Sequence, residues 1–350
     1  MKLASIFQRY ADEFHRRFGT LLSHEQREAF NAIIYCRTEG SGQLLLGCER
    51  CDHTEKVPHS CGNRNCPTCQ HHDAQNWISK QMSKLLPVDY FMVTFTLPKE
   101  LRPIVLKNQR ACYEKLISVA AQTLQTFSAN SKHLGGDLGL ITVLHTHSRR
   151  LDYHPHVHIV VPAGCFKKKE QQWVSHKGDY LFNGFSLGTV FRARFLDALR
   201  QLGLSATPTK VKKWVVDCKA VGNGTHALKY LSRYLYRGVI SENNIIKDDG
   251  HKITFKYEDS NTKKTKTRTM SGAEFIRLIL MHVLPSRFRR CRDYGYLHGN
   301  CKDILGKIQK VLQAITPQWI NHRKKKRPLC PTCQIQLTIM GFVKRSWRPG

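Results

Sequence analysis

Five histidines fall between residues 145 and 158 of this chain, the last three in the run His154-Pro155-His156-Val157-His158. In a β-strand, side chains i and i+2 share a face. His156 and His158 therefore project together, about 6–7 Å apart at their bases, while Val157 and Ile159 turn the other way, toward a core. Two imidazoles so placed can converge on one ion. Pro155 has no N–H for a sheet ladder, which sets His154 just before the strand and makes it the weaker ligand. His145 and His147, on the preceding strand, have matching parity and could supply a third. A bare His-x-His is as often a polar solvent face as a metal site; five histidines in fourteen residues shift that balance. The acidic ligands of a zinc hydrolase are absent nearby, where Ile159-Val160-Val161-Pro162 follows. The site reads as one completed by its substrate, such as phosphate oxygens around a divalent ion.

Tyr230 and Tyr234 stand four residues apart in a segment bounded by Gly222-Asn223-Gly224 and Gly238. These boundaries predict a helix over 225–237 with Thr225 as its cap. At about 100° per residue, Ala227, Leu228, Leu231 and Leu235 form the buried stripe, and the two tyrosines lie about 40° apart at its edge. Arg233 and Arg237 continue round the same side as candidate DNA contacts; Tyr236 faces elsewhere. Two phenols beside two guanidiniums suit attack on a phosphodiester, with a tyrosine oxygen as nucleophile and cations balancing the phosphate. A phenol with a pKa near about 10 needs help from a metal or base. Alone, such a pair is usually amphipathic packing beside a core. The histidine strand upstream is what gives it chemistry.

The elements that must carry these residues follow from pattern. Tyr90–Leu97, closed by Pro98, reads as a strand, and Leu106–Phe127 as a helix. Residues 140–147 and 156–161 read as two strands of a hairpin. A helix over 187–204, a strand over 213–218 and a helix over 271–283 complete the regular elements, with an exposed hairpin over 252–269. Strands and helices alternate irregularly around a hairpin, which predicts an α+β fold on an antiparallel sheet. Residues 1–85 read as helix, cysteine-rich loops and helix. The expected division is a cysteine-rich N-terminal domain over 1–87, a domain over 88–285 that carries the histidines and tyrosines, and a basic region over 286–350.

Composition points to the same partner. The 350 residues hold 56 Lys+Arg against 26 Asp+Glu, a formal charge of +30 that attracts polyanions. Residues 301–350 alone carry 11 Lys+Arg and one Asp, including Arg323-Lys324-Lys325-Lys326-Arg327. No apolar run approaches the ~18 residues of a membrane span, and the first residues turn charged too early for a signal peptide. A cytoplasmic location with reduced thiols is expected. There is no G-x-x-x-x-G-K-[ST] loop, so the chemistry must proceed without ATP from this chain.

Cys48-x2-Cys51 and Cys66-x2-Cys69, fourteen residues apart, have the spacing of one four-thiolate structural zinc site. Cys61 could replace one of the four, and His53 and His59 leave a second site conceivable. Cys330-Pro331-Thr332-Cys333 repeats the text of Cys66–Cys69 with no second pair after it; Cys291 and Cys301 are candidate partners at irregular spacing. Cys36, Cys112, Cys165 and Cys218 read as packing residues.

Taken in order, Phe95-Thr-Leu-Pro98, Val143-Leu-His-Thr146, His154-Pro-His-Val-His158 and Lys229-Tyr-Leu-Ser-Arg-Tyr234 resemble the two-tyrosine HUH transposases of bacterial rolling-circle insertion sequences, relatives of the Helitron transposases. With the N-terminal cysteine module, the resemblance spans about residues 30–300. It implies an HUH-type antiparallel sheet, and Mg²⁺ or Mn²⁺ held by His156 and His158 against the scissile phosphate. It also implies that Tyr230 and Tyr234 act as nucleophiles, each forming a 5′-phosphotyrosine and freeing a 3′-OH. The partner would be single-stranded DNA at the element ends and target, met on the bacterial nucleoid. Lacking the Helitron helicase, the chain would depend on a host helicase or on replication for unwinding. A plasmid replication initiator or relaxase would share the chemistry; a noncatalytic zinc-dependent DNA-binding protein would keep only the motifs. Neither oligomeric state nor the order of tyrosine attack is encoded in these motifs.

Overall fold

The structure is a computed structural model that describes residues 2–69, 71–204, 214–236, 238–259, 262–315 and 327–346; the side chains of His71, His72, Arg233, Tyr234 and Tyr236 lie outside that description. The chain opens with helices α1 (Leu3–Arg9), α2 (Ala11–Phe18) and α3 (His24–Tyr35), then a hairpin of β1 (Gln43–Gly47) and β2 (Thr54–Pro58), then α4 (His71–Met82). β3 (Tyr90–Thr96) leads through α5 (Arg102–Lys107) and α6 (Gln109–Ala129) to β4 (Leu140–His147) and β5 (Tyr153–Pro162). A short hairpin, β6 (Gly164–Lys167) and β7 (Gln172–Ser175), precedes α7 (Gly184–Gln201), β8 (Val216–Ala220) and α8 (Thr225–Tyr236). The remainder comprises β9 (Ile245–Asp248), β10 (Lys252–Glu258), β11 (Thr265–Ser271), α9 (Gly272–Leu280), β12 (Cys291–Tyr294), α10 (Lys302–Val311) and β13 (Thr338–Val343). Among the described residues no helix is long and apolar enough to cross a membrane.

The central sheet has five strands in the order β12-β4-β5-β3-β8, all antiparallel, giving the expected α+β fold. Strand parity splits its residues between two faces. Phe91, Val93, Phe95, Val157, Ile159, Val161, Leu140 and Leu144 enter one core with Tyr113, Leu116 and Leu124 of α6 and Phe191 and Phe195 of α7. Tyr90, Ile141, Val143 and Val160 face the other way, into a cluster with Ala227, Leu228, Leu231 and Leu235 of α8 and Ile308 of α10. The predicted stripe of α8 is therefore the buried one, and it lies on the histidine face. Leu228 is fully buried in this cluster. Leu228→Ala is expected to destabilise the protein by about 2–5 kcal/mol, read as a lower urea midpoint in equilibrium unfolding.

The start of α8 differs from expectation by one residue: Leu228 N–H donates to Gly224 O at 3.0 Å, so Gly224 takes the capping position rather than Thr225. Gly224 has φ +78°, and a Cβ there would come within 2.9 Å of the Tyr90 ring. A glycine is needed both for the left-handed turn and for the close approach of α8 to β3.

The region read as an exposed hairpin is a three-stranded sheet, β11-β10-β9, with Ile253 and Phe255 buried against Phe7, Phe14 and Phe30 of α1–α3 and Phe275 of α9. The first three helices thus pack on residues 240–283, not on the cysteines. The segment 286–350, expected as one basic region, is also divided. β12 is an edge strand of the central sheet, α10 packs beneath α8, and β13 pairs with β1 in the sheet β13-β1-β2. Both departures come from long-range pairing, which local composition does not report. The run Arg323–Arg327 lies, but for Arg327, outside the described residues.

Candidate active site and cysteine centres

Cross-strand register assembles the histidines. His145 of β4 lies opposite His156 of β5, and Val143 opposite His158, so His145, His156 and His158 share one face. Their ligand nitrogens all lie within 4.8 Å of one another. Ring centroids are 4.4 Å apart for His145–His158, 5.1 Å for His145–His156 and 4.9 Å for His156–His158. The third member left open by sequence is His145 and not His147. Beyond the His145–His156 pair the register slips by one residue, where Pro155 interrupts the ladder, and His147 then pairs with Tyr153. Its ring lies 5.2 Å from that of His282 instead.

The hydrogen bonds around the cluster set which nitrogens face its centre. His156 Nδ1 donates to the His154 carbonyl at 2.7 Å, which leaves Nε2 with its lone pair. His158 Nδ1 shares a 2.8 Å hydrogen bond with Thr94 Oγ1, from the neighbouring strand. Arg102 Nη2 donates to His154 Nδ1 at 2.6 Å, so His154 is held by a guanidinium and stands outside the cluster. Asp217 of β8, opposite Thr94, completes the row on this face. Thr94, Arg102 and Asp217 had no signal in the sequence as site residues; the register of β3 and β8 brings Thr94 and Asp217 here, and the start of α5 brings Arg102.

Burial, reinforced by the other imidazoles, holds His145 and His156 well below the usual histidine range. Burial likewise pushes His158 down to about 4, against the opposing pull of Asp217. Neutral imidazoles are the ligating form, so the cluster is poised to accept a cation near neutral pH. His282, behind His147, is pushed down to about 4 for the same reason. Both folded-state values lie below the unfolded one near about 6.5, so the unfolded chain binds protons first as pH falls. Stability of metal-free protein is therefore full above about pH 6.5 and declines as pH drops toward 4. Each group is worth on the order of 3 kcal/mol across that window. Urea unfolding at stepped pH checks this, and a flat profile between pH 7 and 4.5 would count against neutral burial.

Helix α8 brings Tyr230 to the histidines. The half-buried Tyr230 ring stands 6.1 Å from the His158 ring, edge-on at 84°. Tyr234 is one helical turn further along α8. The expectations for Arg233 and for the Tyr234 side chain, and that for Arg237, fall outside the described residues. A small cavity of about 30 Å³ behind His145 is lined by Arg64, Asn65, His147, Gly238 and Arg290, between the cysteine loops and the chain that leaves α8. Arg64 is held there by donating to the Phe288 carbonyl at 2.6 Å.

The four cysteines expected to form one site do not meet. Cys48 and Cys51 cluster with Cys330 and Cys333, whereas Cys66 and Cys69 cluster with Cys36 and Cys61. The cause is the β1–β2 hairpin: Cys48 and Cys51 lie at its turn and Cys36 and Cys61 beyond its open end. Five extended residues separate those ends by roughly 16 Å. Cys36 is thus a cluster member rather than a packing residue, Cys61 is a fourth member, and neither Cys291 nor Cys301 joins Cys330. In the Cys36 cluster all four sulfurs lie within 4.8 Å, and Cys61 and Cys69 are 3.5 Å apart. A tetrahedron with Zn–S bonds of about 2.3 Å has edges of about 3.8 Å, so this donor set fits zinc.

Comparison with known proteins agrees. A family described as "Putative transposase" matches residues 139–304, the span of the histidine strands and the tyrosine helix. A family described as "Transposase zinc-binding domain" matches residues 6–97. "Putative transposase y4qJ" of Sinorhizobium fredii is 34% identical over 337 residues, covering 87% of this chain and 84% of that protein. "Transposase for insertion sequence element IS801" of Pseudomonas savastanoi pv. phaseolicola is 29% identical over 314 residues, covering 83% and 75%. Among solved structures, the conjugative relaxase TrwC in its metal-bound complex with oriT DNA matches with a TM-score of 0.30 at 22% identity, over 37% of this chain and 49% of that one. At that score the likeness carries no argument. The two family matches and the long alignments are sufficient: the chain belongs to the two-tyrosine transposases of bacterial insertion sequences, and carries their N-terminal zinc-binding domain.

Proposed function

We propose that this transposase cuts and rejoins single-stranded DNA through a covalent 5′-phosphotyrosine, with Tyr230 as the nucleophile at a site formed by His145, His156 and His158. The observation that carries the reading is the placement of the Tyr230 ring at 6.1 Å from His158, on the one sheet face where three neutral imidazoles converge. A divalent ion, Mg²⁺ or Mn²⁺, held by these nitrogens would draw charge from the scissile phosphate and ease attack on phosphorus. The protein's own part is to fix the geometry. Thr94 and the His154 carbonyl orient His158 and His156, and the buried stripe of α8 holds Tyr230 over them.

In the cutting step the Tyr230 oxygen bonds to phosphorus and gives up its proton, and the P–O3′ bond breaks to leave a free 3′-OH. The ester keeps the bond energy of the cleaved link. A 3′-OH from another strand can then attack the phosphotyrosine, restoring the phosphodiester and the phenol, with no ATP consumed. Tyr234, a turn along the same helix, supplies a second nucleophile so that one strand stays bound while another is cut. This supports a rolling-circle-like movement of an insertion sequence, with substrates at the element ends and the target, and unwinding by a host helicase or replication. The proposed workplace is the bacterial cytoplasm, at the nucleoid.

The test uses 5′-labelled and 3′-labelled single-stranded oligonucleotides spanning the element terminus, with Mg²⁺, Mn²⁺ or EDTA, resolved on denaturing gels. The expected result is a metal-dependent protein adduct on the fragment bearing the new 5′ end. Tight DNA binding by zinc-loaded protein with no nick and no adduct would replace this reading with that of a noncatalytic DNA-binding protein.

A further inference from the structure

We infer that Cys48, Cys51, Cys330 and Cys333 bind a second structural Zn²⁺, distinct from that of the Cys36 cluster, and that this ion clasps the C-terminal segment of the chain onto its N-terminal module. Cys330 and Cys333 lie beyond both matched families, at residues 6–97 and 139–304. The four sulfurs lie within 4.8 Å of one another, and Cys51 and Cys330 are 3.7 Å apart, close to the edge of a Zn–S tetrahedron, about 3.8 Å.

A second observation is independent of those distances: both Cys-x-x-Cys turns are folded as matching knuckles. Cys48 N–H donates to the carbonyl five residues on, His53, at 2.9 Å, and Cys330 N–H does the same to Ile335 at 2.8 Å. Within each turn a backbone N–H points at the first sulfur, Arg50 to Cys48 Sγ and Cys333 to Cys330 Sγ, both at 3.4 Å. Such donors stabilise thiolate and aim it at a shared centre. The turn from Cys333 back into the chain is closed by Gln334 at φ 56°, a strained conformation for that residue.

The metal has structural work to do here. Among the described residues the apolar cluster of this module has only Leu46, Cys330 and Leu337 buried, too little to hold three short strands together in water. β13 pairs with β1 across nearly 300 residues of chain, a closure that local propensity does not favour. A tetrathiolate ion at one end of the β13-β1-β2 sheet supplies the missing cohesion. Ile308 of α10 enters the apolar cluster that also holds the buried stripe of α8.

The experiment is zinc stoichiometry by elemental mass spectrometry on the full chain, purified under reducing conditions. Two zinc ions per chain are expected. The double variant Cys330→Ser, Cys333→Ser should retain one, and hydrogen exchange should show loss of protection confined to β13 and β1. Cys333→His, which replaces one zinc ligand by another, should return the count to two and restore protection, which guards against simple misfolding. One zinc in the wild-type chain, or two in the double variant, would overturn the proposal. So would a Cys330–Cys333 disulfide found by thiol counting in the wild-type protein.

Discussion

Tyr230→Phe is expected to remove the first covalent adduct and slow strand cleavage by about 10³-fold or more, while leaving the fold and DNA affinity intact. The substitution deletes one oxygen. If that oxygen is the nucleophile of the first cut, that step loses its ester bond to phosphorus, and loss of a nucleophile acting in concert with its partners removes most of the rate acceleration. The half-buried ring remains to pack against the α8 cluster, so thermal stability should move by no more than about 1.5 kcal/mol. Tyr234→Phe should differ in kind. It should leave the first cut on a single-ended oligonucleotide and lose joining to a second strand, because Tyr230 is the phenol seen beside His158. Single-turnover cleavage with end-labelled strands, followed by a joining assay with an unlabelled acceptor, separates the two. Wild-type cleavage by Tyr230→Phe would eliminate Tyr230 as the first nucleophile, and normal transposition by both single variants would eliminate the two-nucleophile scheme.

The candidate site of this chain was legible where its geometry rests on local period. His156 and His158 share a face because a strand has period two, and the stripe Ala227, Leu228, Leu231, Leu235 is buried because a helix has period 3.6; both needed only sequence. β3, β4, α7 and α8 lie within a few residues of their expected bounds for the same reason. What was not legible depends on register and long-range pairing. His145 and His147 have equal parity, and only the slip at Pro155 separates them. Thr94 and Asp217 reach the site through β3 and β8 pairing, and a threonine or aspartate in a strand has no motif to announce it.

The cysteines show the same limit from the opposite direction. Spacing alone joined Cys48–Cys51 to Cys66–Cys69, since two Cys-x-x-Cys pairs fourteen residues apart resemble one site. The intervening Thr54–Pro58 strand was the missed signal: extended chain between two pairs holds them apart. Cys36 looked isolated because its partners follow it across the hairpin, and Cys330–Cys333 looked incomplete because its partners lie near the other end of the chain. The repeated Cys-Pro-Thr-Cys text was a real clue to ligand type, though not to which pairs meet.

His156→Ala should abolish metal-dependent cleavage, by on the order of 10³-fold or more, without changing the zinc content of the protein. The argument turns on the separation of donor sets. The cysteine clusters offer soft sulfur ligands at residues remote in sequence from β5, so removing an imidazole leaves them untouched. At the triad, the loss takes one of three nitrogens and also the 2.7 Å bond to the His154 carbonyl that fixed the ring, so binding of a divalent ion should weaken sharply. Losing a Lewis acid worth several kcal/mol of transition-state stabilisation converts to a rate loss of that order. His145→Gln should show the same loss, whereas His154→Gln should keep most activity, because the guanidinium of Arg102 already occupies His154 Nδ1. Manganese titration by calorimetry beside elemental analysis resolves the alternatives. If His156→Ala sheds zinc, the metals have been assigned to the wrong donors; if His147→Gln rather than His145→Gln silences cleavage, the third ligand has.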